Sequence, residues 1–212
     1  YFLEERRRSA RVCILGSEDR EGVVADSMAL NSLILIHGGE TVIADRALHE
    51  AIEARKEFER TSIDGGEMEE GRFAEVIAPS LFADKRVVVI KDLHDVSAEV
   101  AEEIAAQLEN RDPSLHLIFI HRGGVKGKGL LDKIKKAKAE VITCEPMKKA
   151  SEKEEFVRSE FARHGRKISS SAVSALVDAT GSETRELAAA CSQIAFDTIA
   201  SKDLIDEGDV AK

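Results

Sequence analysis

The sequence predicts an α/β protein: a parallel sheet domain covered by helices, followed by a small all-helical domain. Three observations predict it. Short apolar runs of strand length recur between Ser32 and Thr143, namely SLILI (Ser32–Ile36), RVVVI (Arg86–Ile90) and LHLIFI (Leu115–Ile120). Segments with apolar residues at helical spacing separate them. After Cys144 the strand signal stops and only helical patterns follow. Strands that are apolar on both faces need cover on both faces, and β–α alternation makes the strands parallel.

The elements follow in order. Ser32–Ile36 is a buried strand. Glu40–Glu59 carries Ala44, Ala47, Leu48, Ala51 and Ile52 on one helix face. Thr61–Ile63 is a short strand, Arg72–Ala78 a short helix and Arg86–Ile90 a second buried strand. Ser97 suits the N-cap of a helix to Asn110, with Val100, Ile104 and Leu108 as its apolar stripe. Leu115–Ile120 is a third strand, Leu130–Ala137 a helix and Ala139–Thr143 the last strand. Ser151 to Glu154 reads as a capping box opening a helix that ends at Gly165. Helices over Ser171–Thr180, stopped by Gly181, and Glu183–Ile199 follow. Asp206 reads as the N-cap of one more helix, cut after one turn, so further protein is expected beyond it. The expected domains are residues 32–144 and 145–212, with residues 1–31 an N-terminal extension of unclear origin.

Composition narrows the function. Hydrophobic residues make up 43% and charged residues 33%, which is ordinary for a globular protein. Trp is absent and there is one Tyr, which argues against stacking platforms for single-stranded nucleic acid. The net charge of −9 confines any nucleic-acid contact to a local patch. Cys13, Cys144 and Cys191 are scattered outside any CxxC, so they read as reduced thiols rather than as a disulfide framework or zinc site. No run reaches the roughly 18 apolar residues of a membrane span. The opening YFLEERRRSARVCILG is too short in its apolar stretch and too charged for a secretory leader.

An open parallel sheet prompts a search for a nucleotide site. A phosphate loop needs glycines to let backbone N–H groups wrap phosphates, a Lys to neutralise them and a hydroxyl for magnesium. The turn HGGETVIADRA (His37–Ala47) has the glycines without the Lys. RGGVKGKGLL (Arg122–Leu131) has Gly127-Lys128, but Gly129 replaces the hydroxyl residue and Arg122 stands at the first glycine position. The strand VVVI is followed by Lys91-Asp92, not by a pair of acids. His116 and His121 fall on opposite faces of one strand, so a shared metal is not expected. Neither G-x-S-x-G nor HExxH occurs. Acids such as Glu102-Glu103 and Glu152 to Glu155 read as solvated helix faces.

Three stretches stand out. IAPSLFADKRVVVI places Leu81-Phe82 between Pro79 and the charged Asp84-Lys85-Arg86. The pair is either a plug for the core or an anchor for a partner. Pro79 favours an extended Ala78, and the charges are expected to keep that step at the surface. RGGVKGKGLLDKIKKAKA (Arg122–Ala139) holds seven Lys or Arg against Asp132 alone. It is either a solvated face or, through Lys126, Lys128, Lys135 and Lys136, a contact for nucleic-acid phosphate. GSETRELAAACSQI (Gly181–Ile194) puts Arg185 in the first turn of a helix.

Taken together, LILIHGGE, SLFADKRVVVI, HLIFIHRGG and GSETRELAAACSQI, in this order, resemble the delta subunit of the bacterial DNA polymerase III clamp loader over Ser32–Lys212. The resemblance implies an AAA+-like α/β domain, a small helical lid and a helical collar, the last apparently absent from this chain. It implies a subunit that has lost the phosphate loop, binds and opens the ring-shaped sliding clamp during DNA replication and hydrolyses no ATP itself. Ser80, Leu81 and Phe82 become the clamp-binding residues. Arg185 matches a phosphate-sensing position and, without a nucleotide, is expected to be structural. Implied partners are the sliding clamp (beta subunit), the tau/gamma and delta prime subunits, and primed DNA within the assembly, in the cytoplasm and away from membranes. No catalytic residue, cofactor or metal is implied; the chain is a non-catalytic part of the holoenzyme that synthesises DNA. The alternatives are an ATP-hydrolysing AAA+ clamp-loader motor, a Rossmann-like enzyme using HGGE, and a free-standing helical interaction protein.

Overall fold

The computed structural model describes residues 11–12, 30–79, 84–108, 111–181, 183–200 and 204–210. They divide into two units, one ending at Glu145 and one beginning at Pro146.

The first unit alternates strand and helix. Its elements are β1 (Arg11–Val12), β2 (Leu33–His37), α1 (Thr41–Glu53), β3 (Glu59–Asp64), α2 (Arg72–Ile77), β4 (Arg86–Lys91), α3 (Ala98–Gln107), β5 (Leu115–His121), α4 (Lys128–Lys136) and β6 (Glu140–Thr143), with 3-10 turns at Gly65–Glu67 and Leu93–Asp95. The strands form one parallel sheet in the order β1-β6-β2-β5-β4-β3. Its two faces carry separate cores. Leu33, Leu35, Val88, Ile90, Leu117 and Phe119 pack with Phe73 of α2, Val100 and Ile104 of α3, and Leu130, Leu131 and Ile134 of α4. The alternate residues Ile34, Ile36, Val87, Val89 and Ile118 pack with Ala44, Ala47 and Ala51 of α1. Ser97 caps α3 as expected, its hydroxyl accepting from the Val100 N–H at 3.2 Å. The sheet therefore has the helical cover on both faces that its apolar runs demand.

Three boundaries depart from the sequence reading. The first helix stops at Glu53 rather than Glu59, because Arg55 turns inward to bond the carbonyl of Ala51. Strand β3 is longer than Thr61–Ile63; it is an edge strand, half exposed, and lacks the apolar run that marks its neighbours. Within residues 1–31, Arg11–Val12 pairs with β6 and extends the sheet.

The second unit contains α5 (Ala150–Arg163), α6 (Ser170–Thr180), α7 (Thr184–Asp197) and α8 (Glu207–Val210). Phe156, Val157, Phe161, Val173, Leu176, Leu187 and Cys191 are buried in it. Lys149 is the N-cap of α5, so Ser151 lies inside the helix rather than capping it. The box is shifted by two residues, its acid being Glu152 rather than Glu154: Glu152 accepts from the backbone N–H groups of Lys148 and Lys149 at 2.9 and 3.1 Å. Gly181 ends α6 with φ +71°. Asp206 takes the N-terminal N–H of Gly208 at 2.8 Å. Cys144 and Cys191 are buried, and Cys13 lies outside the described residues. No described helix is long and apolar enough to cross a membrane.

One polar cluster fastens the N-terminal ends of the central strands. Arg55 is 4% exposed and donates from Nε to His116 Nδ1 (3.0 Å), from Nη1 to the Ala51 carbonyl (2.7 Å) and from Nη2 to the Asn31 carbonyl (2.7 Å). An accepting Nδ1 requires a neutral imidazole. Burial, then the charges of Arg55 and Lys85, lower the His116 pKa to about 4. In the unfolded chain His116 returns to its ordinary 6.5. The unfolded state therefore binds more protons between these values. Stability is fully present above pH 6.5 and falls as pH drops toward 4, at up to ~1.4 kcal/mol per pH unit from this group. Urea denaturation at pH 7.5 and 5.0 is expected to show this loss. His116→Gln, whose amide oxygen can accept from Arg55, should flatten the dependence; an unchanged slope would reject the assignment.

Candidate functional site

Ser80, Leu81 and Phe82 lie outside the described residues, but both stems of their loop are described. Helix α2 leads in and β4 leads out. Ala78 is extended, with ψ 142°, as the following proline dictates. Pro79, Asp84 and Lys85 are exposed. Arg86 is a correction: it was expected at the surface with its charged neighbours, and it is 7% exposed. The cause is a set of carbonyls. Its guanidinium donates to the main-chain oxygens of Ala78 (2.5 Å), Ile77 (3.0 Å) and Val76 (3.3 Å), the C-terminal end of α2. The other end of α2 is held from α3, where the Glu103 carboxylate accepts from the N–H groups of Gly71 (3.1 Å) and Ala74 (2.8 Å). Glu103 was read as a solvated acid. No local spacing signals either contact, because both partners come from other elements.

At the opposite, C-terminal edge of the sheet lies the glycine turn after β2. Gly38 has φ +141°, and a Cβ there would sit 2.1 Å from the Cys144 carbonyl oxygen. Its N–H donates to the His121 carbonyl at 3.0 Å, and the Glu40 N–H donates to the Cys144 carbonyl at 2.8 Å. The Glu40 side chain then caps α1, accepting from the Val42 N–H at 3.3 Å. A carboxylate thus occupies the helix N-terminus where a phosphate loop would present its anion. After β4, Asp92 is engaged by the Arg122 guanidinium, with Nε to Oδ1 at 2.6 Å.

His121 is fully buried at this edge. It accepts at Nδ1 from the Gly123 N–H (3.0 Å), so its Nε2 carries the proton donated to the Lys126 carbonyl (2.8 Å). Burial is the main cause of its lowered pKa, which fits this neutral form. His116 points to the other face, as the odd spacing predicts. No group of described residues is placed to hold a metal ion.

The basic segment separates into two places. Lys126 pairs with Asp95 at 2.5 Å, and Lys128 opens α4. Lys135 lies near enough to the sheet edge to lower the pKa of His37 and His121. Lys136 instead lines a groove of about 720 Å³ between α3 and α4 with Arg111, Lys133 and Lys138. Lys133, Lys135 and Lys136 occupy the last turn of α4, where cations favour the helix dipole; Lys128 sits at the wrong end for that benefit. Arg185 is exposed in the first turn of α7 and makes no hydrogen bond or ion pair with the described residues, so no such bond serves its expected structural role.

A parallel sheet covered on both faces, joined in sequence to a helical unit, is an AAA+-like architecture, here with a carboxylate-capped turn in place of a phosphate loop. The chain belongs to the DNA polymerase III delta subunit family, whose family model matches residues 31–145. Among solved structures, the Bacillus subtilis DNA clamp loader delta protein YqeN is similar with a TM-score of 0.63 and 15% identity over 86% of this chain and 57% of that one. The Thermotoga maritima RuvB Holliday junction branch migration motor is similar with a TM-score of 0.51 and 14% identity over 87% of this chain and 64% of that one. At these identities the likeness is one of fold. The chain thus spans less than two thirds of the length of either structure. Comparison with curated proteins finds no significant sequence match.

The contact at Gly38 makes a direct prediction. Gly38→Ala would drive a methyl group into the Cys144 backbone, with no flexible side chain to yield. A loss of about 3 kcal/mol or more in folding stability is expected. Gly124→Ala also meets a positive φ, +83°, but nothing lies within 4 Å of its Cβ, and it should cost only about 1 kcal/mol. Equal losses in chemical denaturation would show that the turn is not packed as described.

Proposed function

We propose that this chain acts as the clamp-binding subunit of the loader: it binds and opens the ring-shaped sliding clamp and hydrolyses no ATP itself. The observation that supports this reading is the family match over residues 31–145; within it we take Ser80-Leu81-Phe82 as the clamp contact, on its resemblance to the family's Ser-Leu-Phe element. The stems of that loop support it. A short helix fastened at both ends and a strand paired on both sides give the proposed contact a rigid base, so little ordering entropy is lost on docking. The non-hydrolysing role is supported by the turn at Gly38–Glu40, which has no lysine and carries its own carboxylate. The motor alternative needs that lysine and a magnesium-binding hydroxyl. Partners are the sliding clamp, the tau/gamma and delta prime subunits, and primed DNA, in the cytoplasm.

Replacing Leu81 and Phe82 by Ala tests the reading. Burying each side chain in an apolar pocket is worth roughly 1.5–3 kcal/mol. The double variant is expected to bind purified clamp on the order of 100-fold more weakly, about 2.8 kcal/mol, with its folding stability nearly unchanged. A variant that loses several kcal/mol of stability while still binding the clamp would identify the pair as a core plug instead.

The basic segment is proposed to draw primed DNA toward the assembled loader. Lys126, Lys128 and Lys135 lie toward one edge of the sheet, and Lys136 lines the α3–α4 groove. Each lost phosphate contact should reduce the log–log salt slope of DNA binding by about one unit. Replacing all four with Ala should lower it, and replacing Lys136 alone should not. An unchanged slope in the quadruple variant rejects the contact.

A further inference from the structure

We infer that Arg86 and Glu103 are positioning residues that hold α2, and with it the entry to the Ser80–Phe82 loop, in the attitude that clamp binding requires. The inference rests on the proposed clamp contact. It starts from the weakness of α2 itself. The helix has six residues, far below the length at which a helix persists alone. Its N-cap is Gly71 at φ +83°, with no side-chain cap, and its last turn holds no basic residue. Phe73, fully buried, and the half-buried Val76 and Ile77 tie one side of it to the core.

The missing end groups come from outside. Glu103, on α3, supplies an acid at the N-terminus, and Arg86, at the start of β4, supplies a base at the C-terminus. Both charges have the sign that the helix dipole favours, and both make charge-assisted hydrogen bonds. Arg86 does more than cap. It stands on the exit strand and bonds Ala78 on the entry side, so one guanidinium ties the two stems of the loop together. Its backbone is set by pairing with Glu59 on one side and Leu115 on the other. The attitude of the entry stem is thereby referred to the centre of the sheet.

A buried guanidinium is costly to desolvate, which offsets part of what its hydrogen bonds stabilise. Beyond stability it supplies geometry: three carbonyls are met by one planar fork, which fixes direction as well as distance.

The experiment measures association and dissociation of the full chain with purified sliding clamp for Arg86→Met, Arg86→Lys, Glu103→Gln, Arg55→Met and the Leu81/Phe82 double alanine variant. Arg55 is the control, a second buried arginine with three hydrogen bonds, none of them to α2 or to Ala78. Arg86→Met is expected to weaken binding about tenfold, chiefly through a slower association rate, because a smaller fraction of molecules presents a competent loop. Arg86→Lys should recover part of the loss, and Glu103→Gln should lose about threefold. Arg55→Met should bind like the parent chain even if its melting temperature falls further. Amide exchange in Arg86→Met should quicken across Gly71–Ala78 and not in α1. If the double alanine variant loses binding while Arg86→Met binds normally, or if Arg86→Met and Arg55→Met lose it equally, the positioning role is overturned and the clamp contact stands. If the double alanine variant binds like the parent, the clamp contact itself fails and takes this inference with it.

Discussion

Strands β2, β4 and β5 are buried on both faces, and that burial sets where everything else can go. Leu33 and Leu35 point to one core and Ile34 and Ile36 to the other, so polar chemistry is left to the ends of the strand, as at His37. Parallel pairing then collects like ends together. The Gly38 turn, Asp92, Arg122 and Lys126 gather at the C-terminal edge; Asn31, Arg55, Arg86 and His116 gather at the N-terminal edge. The two edges lie a strand length apart, roughly 20 Å for a strand the length of β4. Ala78 and Pro79, which lead toward the proposed clamp contact, and Lys126 and Lys128, two of the lysines proposed to meet DNA, thus belong to opposite edges. A parallel sheet allows the two contacts to be made without crowding.

The same fastening recurs on both faces. Arg55 follows α1 and bonds the carbonyl of Ala51; Arg86 follows α2 and bonds those of Val76, Ile77 and Ala78. The Arg55 guanidinium also reaches His116 of β5 and the Asn31 carbonyl, whereas Arg86 ties α2 to its own strand, β4. Neither forms an ion pair with a carboxylate among the described residues. Carbonyls at a helix C-terminus offer partial negative charge without a second charge to desolvate. Short helices that end abruptly against a sheet need such groups, since their last carbonyls have no partner of their own.

How far the fold could be read from the chain follows from the reach of each signal. SLILI, RVVVI and LHLIFI announced the central strands because burial on both faces writes a continuous apolar run. The edge strands β1 and β3 are not written this way, and one was missed and the other shortened. Ser97 and Gly181 marked helix ends because their partners are a few residues away. Arg86 and Glu103 were read as surface charges because the groups they satisfy lie 8 to 10 and 29 to 32 residues off. The basic segment looked like one patch in the sequence, yet the length of α4 separates Lys128 from Lys136. The reading of Leu81 and Phe82 as a clamp contact rests on family resemblance alone; residue type alone favoured the core for both.

The turn after β2 shows how one substitution of charge redirects a fold. The N-terminus of α1 carries unpaired N–H groups and a partial positive charge, the usual invitation to an anion. Here Glu40 answers it from within the chain. A phosphate brought to that turn would meet a carboxylate rather than a lysine, and two like charges 4 Å apart repel by about 4 kcal/mol at the effective dielectric of a protein surface. Gly38 packs against Cys144 so closely that even a methyl group has no room. What is left is a splice: the turn joins β2, β5 and β6 through the His121 and Cys144 carbonyls and holds their ends in register. A turn built this way offers a phosphate no lysine, which is the physical ground for proposing that this chain hydrolyses no ATP.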